Sequence, residues 1–298
     1  MKKNLVLTIL TKYTYRKIEP FFRTLRKTGY DGDIVVFYDL ISEKTIEKMK
    51  KWSPILIKFN SEEFSKEGIQ VVHYRFKLFY DFLLKDPEKY DKVLICDIRD
   101  LVFQKNPFEY GGYSNLNYFC ESKKVKENSI NSYTLSEAGG KDAFEKYGDN
   151  YTICAGTTLG NTTEMLEYLK LMSSVMRKGN PIDQGQHIYF FYSGRFPNSK
   201  GFLNFEGPIL TIGELKEFQL IYNKSGDLVN KDGTIINVIH QYDRSGKLLK
   251  KFNNPGYFFL DLAEYRYTAL KKFIKKILFN IPGLKGYFKK KYFNPSEV

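Results

Sequence analysis

The sequence predicts an α/β protein, with a mostly parallel central sheet flanked by helices and a basic amphipathic helical appendage at the C-terminus. Three observations carry this expectation. Short apolar runs alternate with segments of helical periodicity. The runs are continuously apolar, as strands buried on both faces are. A lysine-rich stretch at helical spacing follows the last run. The chain has 298 residues, 42% of them hydrophobic and 27% charged. That composition excludes a disordered chain, and the length favours one large domain with a short addition. The expected division is 1–256 for the α/β domain and 257–298 for the tail.

The elements follow in order. Leu5 to Leu10 is an apolar run of strand length. A helix pattern comes next, with Ile18, Phe21, Phe22 and Leu25 on one face and Gly29 as its stop. Ile34 to Tyr38 is a second strand ending at Asp39, Ser42 caps a short helix through Ile46 and Met49, and Ile55 to Phe59 is a third strand. Val72 to Leu84 repeats the helical pattern, and Lys92 to Cys96 is a fourth strand ending at Asp97. The polar stretch from Lys123 to Ser136 reads as a loop. Ile153 to Gly160 is a further strand, followed by a helix from Thr162 and another beginning near Asp183. Short strands are expected at Ile209 to Ile212, Phe218 to Tyr222 and Ile235 to Ile239, with a hairpin turn over Asp227 to Gly233.

Several function classes drop out. No phosphate-binding P-loop, Rossmann glycine fingerprint, paired Cys-x-x-Cys or His-Glu-x-x-His is present. Cys96, Cys120 and Cys154 form an odd set inside apolar runs, which reads as buried reduced thiols of a cytosolic protein rather than a disulfide framework. The run after Met1-Lys2-Lys3-Asn4 is too short and Thr-broken for a signal peptide, and no run approaches the ~20 apolar residues of a spanning helix.

Ligands of open α/β sheets collect beyond the carboxyl ends of the strands. Asp97 and Asp100 sit there, and two carboxylates leaving a buried strand suit a hard cation such as Mn²⁺ or Mg²⁺. The plainer alternative is a turn cap paired with Arg99. His240 also follows an apolar strand and is either a third ligand or a structural histidine. Arg75 and Lys77, near a helix start, either neutralise a diphosphate or form a solvated face. Thr8, Thr11 and Tyr13 stand just past the first strand.

The stretch Val93-Leu94-Ile95-Cys96-Asp97-Ile98-Arg99-Asp100-Leu101-Val102-Phe103-Gln104-Lys105-Asn106-Pro107-Phe108 resembles the nucleotide-sugar segment of GT-A glycosyltransferases. There, apolar residues lead into an Asp-x-Asp or Asp-x-Arg-Asp motif and then Asn-Pro-Phe. Ala155-Gly156 with Leu159-Gly160 and the pair Asp183-Gln184 resemble later elements of the same family. The resemblance implies a GT-A, Rossmann-like fold and a metal-dependent hexosyltransferase. It implies Asp97, Asp100 and His240 as metal ligands, with Arg99 where a plain Asp-x-Asp motif has its second carboxylate. Thr8, Thr11, Tyr13, Arg75, Asp97, Ile98 and Arg99 would meet the nucleotide sugar, and Asp183 and Gln184 the acceptor or reacting sugar.

The formal net charge is +13. Much of the excess follows Glu264, at Arg266, Lys271, Lys272, Lys275, Lys276, Lys285, Lys289, Lys290 and Lys291. Leu270, Phe273, Ile274, Ile277 and Leu278 form the apolar side, so the region Leu270 to Tyr292 reads as a helix for an anionic membrane surface or as a helix docked on the core. The expected partners are a nucleoside-diphosphate sugar, a glycan or lipid-linked acceptor and that membrane surface, with no nucleic acid. The expected location is the cytoplasmic face of the cell membrane, in surface polysaccharide synthesis. The alternative is a non-catalytic α/β protein that binds nucleic acid or anionic surfaces.

Overall fold

Apolar runs too short for helices and too apolar for a one-sided sheet become the strands of a covered sheet. The computed structural model describes residues 2–66, 70–176, 183–257, 259–267 and 270. The chain divides into two units, Met1–Tyr242 and Asp243–Val298. In chain order the elements are β1 (Lys3–Thr11), α1 (Tyr15–Lys27), β2 (Asp33–Asp39), α2 (Glu43–Lys50), β3 (Ile55–Lys58), α3 (Ser61–Lys66), α4 (Val71–Leu84), β4 (Tyr90–Cys96) and β5 (Leu101–Phe103). They continue with β6 (Leu116–Lys124), α5 (Ser129–Tyr147), β7 (Tyr151–Asn161), α6 (Thr162–Val175), α7 (Asp183–Tyr192), β8 (Ser199–Phe202), β9 (Ile209–Thr211), β10 (Val238–His240) and α8 (Gly246–Phe252).

The first unit carries a seven-stranded sheet in the order β3-β2-β1-β4-β7-β6-β8. Only β7 runs against its neighbours, antiparallel to both β4 and β6, while the other pairings are parallel. The expected mostly parallel α/β sheet is therefore present. Side chains alternate between faces along a strand. Leu5 and Leu7 accordingly join Val35, Phe37, Val93 and Ile95 in one core cluster, and Val6 and Leu10 join Ile34, Val36 and Leu94 in the other. The second cluster takes Ile18, Phe21, Phe22 and Leu25 from α1, the stripe read from the sequence. Burying each such side chain contributes about 1.5–3 kcal/mol. A separate three-stranded sheet, β5-β10-β9, pairs β10 antiparallel with β5 and parallel with β9.

Two expectations are corrected. The stretch expected as a loop contains the end of β6 and the first turns of α5. Asn128 caps α5 by accepting from the amides of Ile130 and Asn131, and Gly140, at φ 79° and ψ 177°, is non-helical and divides the stretch into two helices that meet at a kink. Only a thin stripe including Leu135 and Ala143 is buried, so the sequence shows too weak a periodicity. The stretch Phe218 to Tyr222, expected as a strand, holds a 3₁₀ turn at Glu217–Gln219 and a single bridge between Tyr222 and Leu228.

In the second unit, α8 is capped by the Ser245 hydroxyl, which accepts from the amide of Leu248. Asn253 donates to Asp261 at 2.6 Å, and residues 259–267 are helical. The amphipathic region expected from Leu270 to Tyr292 lies outside the described residues, apart from Leu270. Among the described residues no helix is long and apolar enough to cross a membrane.

One strand-end carboxylate has a capping role. Asp39, at the end of β2, accepts from both the amide (2.9 Å) and the hydroxyl of Ser61, the first residue of α3. Burial raises its pKa, but the hydrogen bonds from Ser61 outweigh it and hold the carboxyl below its ordinary range. A group depressed in the folded state stabilises above its unfolded pKa of about 3.9 and loses that contribution as pH falls through its folded value. Asp39→Ala is expected to cost about 1 kcal/mol at neutral pH. Urea unfolding of both proteins should show the gap closing below about pH 4.

Candidate functional site

Three backbone segments meet where β4 ends. β4 stops at Cys96, and the chain turns through Asp97 to Asp100 before entering β5. Ile98, 2% exposed, anchors this turn in the core. Because β7 is antiparallel to β4, its residues beyond the Cys96–Thr157 pair flank the turn, and the Asp97 amide donates to the Gly156 carbonyl at 3.0 Å. β10 then lies against β5 with His240 opposite Leu101. A three-residue strand pairing thus sets the imidazole beside Asp100.

Nε2 of His240 lies 3.5 Å from Oδ2 of Asp97 and 3.7 Å from Oδ1 of Asp100. Its Nδ1 faces the Cys154 thiol and the Thr211 hydroxyl, each at 3.4 Å. The residue is 1% exposed, and Nε2 has no hydrogen-bond partner. It lies within ion-pair range of both carboxylates, so a proton on Nε2 or a cation held among the three donors would satisfy it. One imidazole nitrogen and two carboxylate oxygens, all within 4.8 Å of one another, are a donor set for a cation such as Mn²⁺ or Mg²⁺. The residues present therefore fit the metal that the sequence implies.

The charges agree with that fit. Each carboxylate commits one oxygen to an arginine: Oδ1 of Asp97 accepts from Arg75 at 2.9 Å, and Oδ2 of Asp100 accepts from Arg99 at 2.6 Å. The remaining oxygen of each faces His240. Burial lowers the pKa of His240, but Cys154, Asp97 and Asp100 outweigh it and push the value well above the ordinary one. Protons and a cation compete for the same nitrogen, so metal binding would release a proton. Burial raises the pKa of Asp97, while His240 and Arg75 together bring it below the usual range.

Arg75, on the first turns of α4 and 8% exposed, connects the rest. Its second terminal nitrogen donates to the Ala155 carbonyl at 3.1 Å and to Asp183 at 3.3 Å. Asp183 opens α7, and its other oxygen lies 3.5 Å from Nε2 of His73. Burial raises the Asp183 pKa, and His73 and Arg75 more than reverse this. Gln184 accepts from the Ala155 amide at 3.0 Å and donates to the Ile153 carbonyl. Its carboxamide holds α7 against β7 as a strand neighbour would.

Of the residues singled out in the sequence, Asp97, Arg99, Asp100, His240, Arg75, Asp183 and Gln184 come together. Ile98 lies beneath them. Thr8 is fully buried and donates to the Cys96 carbonyl at 2.7 Å, tying β1 to the end of β4. Thr11 is half-buried and Tyr13 is exposed, both at the same carboxyl edge of the sheet. Lys77 pairs with Asp81 one turn along α4 on an exposed face. Sequence reasoning missed His73, Cys154 and Thr211. Thr211 ends β9 as His240 ends β10, so the strand-end rule that found one applies to the other. The steric role of Gly156 was also hidden: a Cβ there would stand 2.5 Å from Cε1 of His240 and 2.8 Å from Oδ2 of Asp97.

No family model matches the chain, and no curated protein sequence does. Among solved structures the chain is similar to an active-site mutant of LgtC, at 15% identity over 79% of this chain and 86% of that one, with a TM-score of 0.46. It is also similar to the galactosyltransferase LgtC in complex with donor and acceptor sugar analogues, at 14% identity, the same coverage and a TM-score of 0.43.

Two outcomes are expected. Mn²⁺ should raise the thermal unfolding midpoint of the protein, because a ligand of the folded state stabilises it. His240→Ala, Asp100→Asn and Gly156→Ala should each lose that rise. Separately, Arg75→Ala strands two carboxylates and should cost about 3 kcal/mol in urea unfolding. Arg99→Ala, at a part-exposed pair, should cost under about 1 kcal/mol.

Proposed function

We propose that the chain is a metal-dependent glycosyltransferase of the GT-A type, moving a hexose from a nucleoside-diphosphate sugar to a hydroxyl of a glycan or lipid-linked acceptor. The observation that carries this reading is Nε2 of His240, buried, without a hydrogen-bond partner and facing one oxygen each of Asp97 and Asp100. The motif around these aspartates, which resembles the nucleotide-sugar segment of such enzymes, supports it.

In such a transfer the acceptor oxygen bonds to the anomeric carbon, the bond from that carbon to the diphosphate oxygen breaks, and the hydroxyl proton passes to a base. A bound Mn²⁺ or Mg²⁺ would supply positive charge where the leaving diphosphate gathers negative charge. Arg75 and Arg99 fix Asp97 and Asp100 by one oxygen each and so orient the other toward the centre. Asp97 is shared between cation and ribose in this reading, and Thr11 and Tyr13 lie on the sheet edge where base and ribose would be met. Asp183 approaches the reacting sugar, while Gln184 holds its helix on β7.

The lysine-rich region from Leu270 to Tyr292 supports work at the cytoplasmic membrane face, where each nearby lysine adds about 1 kcal/mol of attraction to anionic lipid. A role in surface polysaccharide synthesis follows from that location and acceptor class.

A panel of UDP, GDP, CDP and dTDP sugars with Mn²⁺ tests the reading. Transfer or hydrolysis of at least one donor is expected, with Asp97→Ala and Asp100→Ala slower by at least about 100-fold, since a metal supplies several kcal/mol to the transition state. Full activity in both variants contradicts the metal assignment. Steeply salt-dependent nucleic-acid binding without nucleoside-diphosphate affinity would replace the whole reading with the non-catalytic one.

A further inference from the structure

His240 meets the two aspartates with one ring nitrogen and is held from behind by the other. β9 and β10 are parallel, and Thr211 is the register partner of His240, so the two side chains leave one face of the short sheet about 4.8 Å apart. Thr211 is 2% exposed. Its hydroxyl lies 3.4 Å from Nδ1 of His240 and has no other hydrogen-bond partner among the described residues.

That hydroxyl is placed from outside the short sheet. β9 is an edge strand, and on the side away from β10 the Asn204 carboxamide stands in for a further strand. Its nitrogen donates to the Thr211 carbonyl at 2.8 Å, and its oxygen accepts from the Thr211 amide at 3.0 Å. The same nitrogen donates to the hydroxyl of Ser122, on β6, at 2.7 Å. Thr211 is thus fastened to the long sheet, the one whose strand β4 leads into Asp97 and Asp100.

The chemistry of the ring sets the direction of the bond. A neutral imidazole has one N–H and one lone pair. On the metal reading above, Nε2 gives its lone pair to the cation, so the N–H is at Nδ1 and needs an acceptor. Two atoms are in place, Oγ1 of Thr211 and Sγ of Cys154, each at 3.4 Å. Of the two, the hydroxyl oxygen is the stronger acceptor, because sulfur accepts only weakly. A metal-binding histidine is generally oriented by a hydrogen bond from its second nitrogen. We propose that Thr211 is a positioning residue for His240: its hydroxyl accepts from Nδ1–H and aims Nε2 at the gap between Asp97 and Asp100.

Two measurements on the full chain test this. The paramagnetic resonance signal of free Mn²⁺ falls as the ion binds, so a titration reads affinity without any turnover. Thr211→Val, close in shape but without the hydroxyl, should weaken Mn²⁺ binding between about tenfold and 100-fold. Thr211→Ser should restore it, and Cys154→Ala should bind as the unchanged protein does. The hydrogen bond itself is read without metal, by imidazole ¹H–¹⁵N NMR of a chain with three histidines. A slowly exchanging Nδ1–H signal is expected that is missing from His240→Gln, kept in Thr211→Ser and shifted or lost in Thr211→Val. Urea unfolding of the metal-free proteins separates packing from positioning. Lower stability of Thr211→Val with unchanged Mn²⁺ affinity overturns the proposal. So does failure of Thr211→Ser to restore binding, absence of the Nδ1–H signal from the unchanged protein, or a loss of affinity in Cys154→Ala but not in Thr211→Val. If the signal depends on Thr211 while the unchanged protein binds no Mn²⁺, the metal reading falls and the hydrogen bond stands. Equal Mn²⁺ binding by the unchanged protein and Thr211→Val gives the converse.

Discussion

One buried guanidinium sets the geometry on which the site depends. Arg75 leaves α4 and reaches the end of β4 through Asp97, the middle of β7 through the Ala155 carbonyl and the start of α7 through Asp183. Burying a charge costs several kcal/mol unless partners and hydrogen bonds satisfy it. Burial accordingly lowers the pKa of Arg75, while Asp97 and Asp183 more than compensate and hold the group protonated. The converse holds for its partners. Asp97 and Asp183 repel one another, and the cation between them lets both remain ionised. Helix, strand ends and second helix are thereby held in one arrangement.

The second constraint is the meeting of strand ends from two sheets. The long sheet ends β4 at Asp97, and the short sheet carries His240 on a three-residue strand beside it. Neither sheet alone assembles the donor set. Their approach requires residue 156 to lack a side chain, because any Cβ there would overlap the imidazole and the Asp97 carboxylate. Three carboxylates, Asp97, Asp100 and Asp183, meet the two guanidiniums of Arg75 and Arg99. A divalent cation taking the place of the His240 proton would leave the centre net positive and favour an anionic ligand there.

Much of this was legible in the sequence, for identifiable reasons. Strands buried on both faces leave continuous apolar runs, so β1, β2, β4 and β7 and the stripe of α1 could be read directly. Asp97, Asp100 and His240 stood out because each follows such a run. α5 escaped because its buried stripe is thin and non-helical Gly140 divides it into two short helices. Arg75 was singled out for a phosphate, yet its partners are carboxylates and a carbonyl, which depend on β7 running antiparallel to β4. No local pattern reports that direction.

Coordination of a cation by His240 can be read by pulsed electron paramagnetic resonance of the protein with bound Mn²⁺. If Nε2 coordinates the ion, the echo envelope carries a ¹⁴N modulation from a directly bound imidazole, and this modulation disappears in His240→Gln. Bound Mn²⁺ without nitrogen modulation, or a modulation unchanged by His240→Gln, would exclude His240 as a ligand.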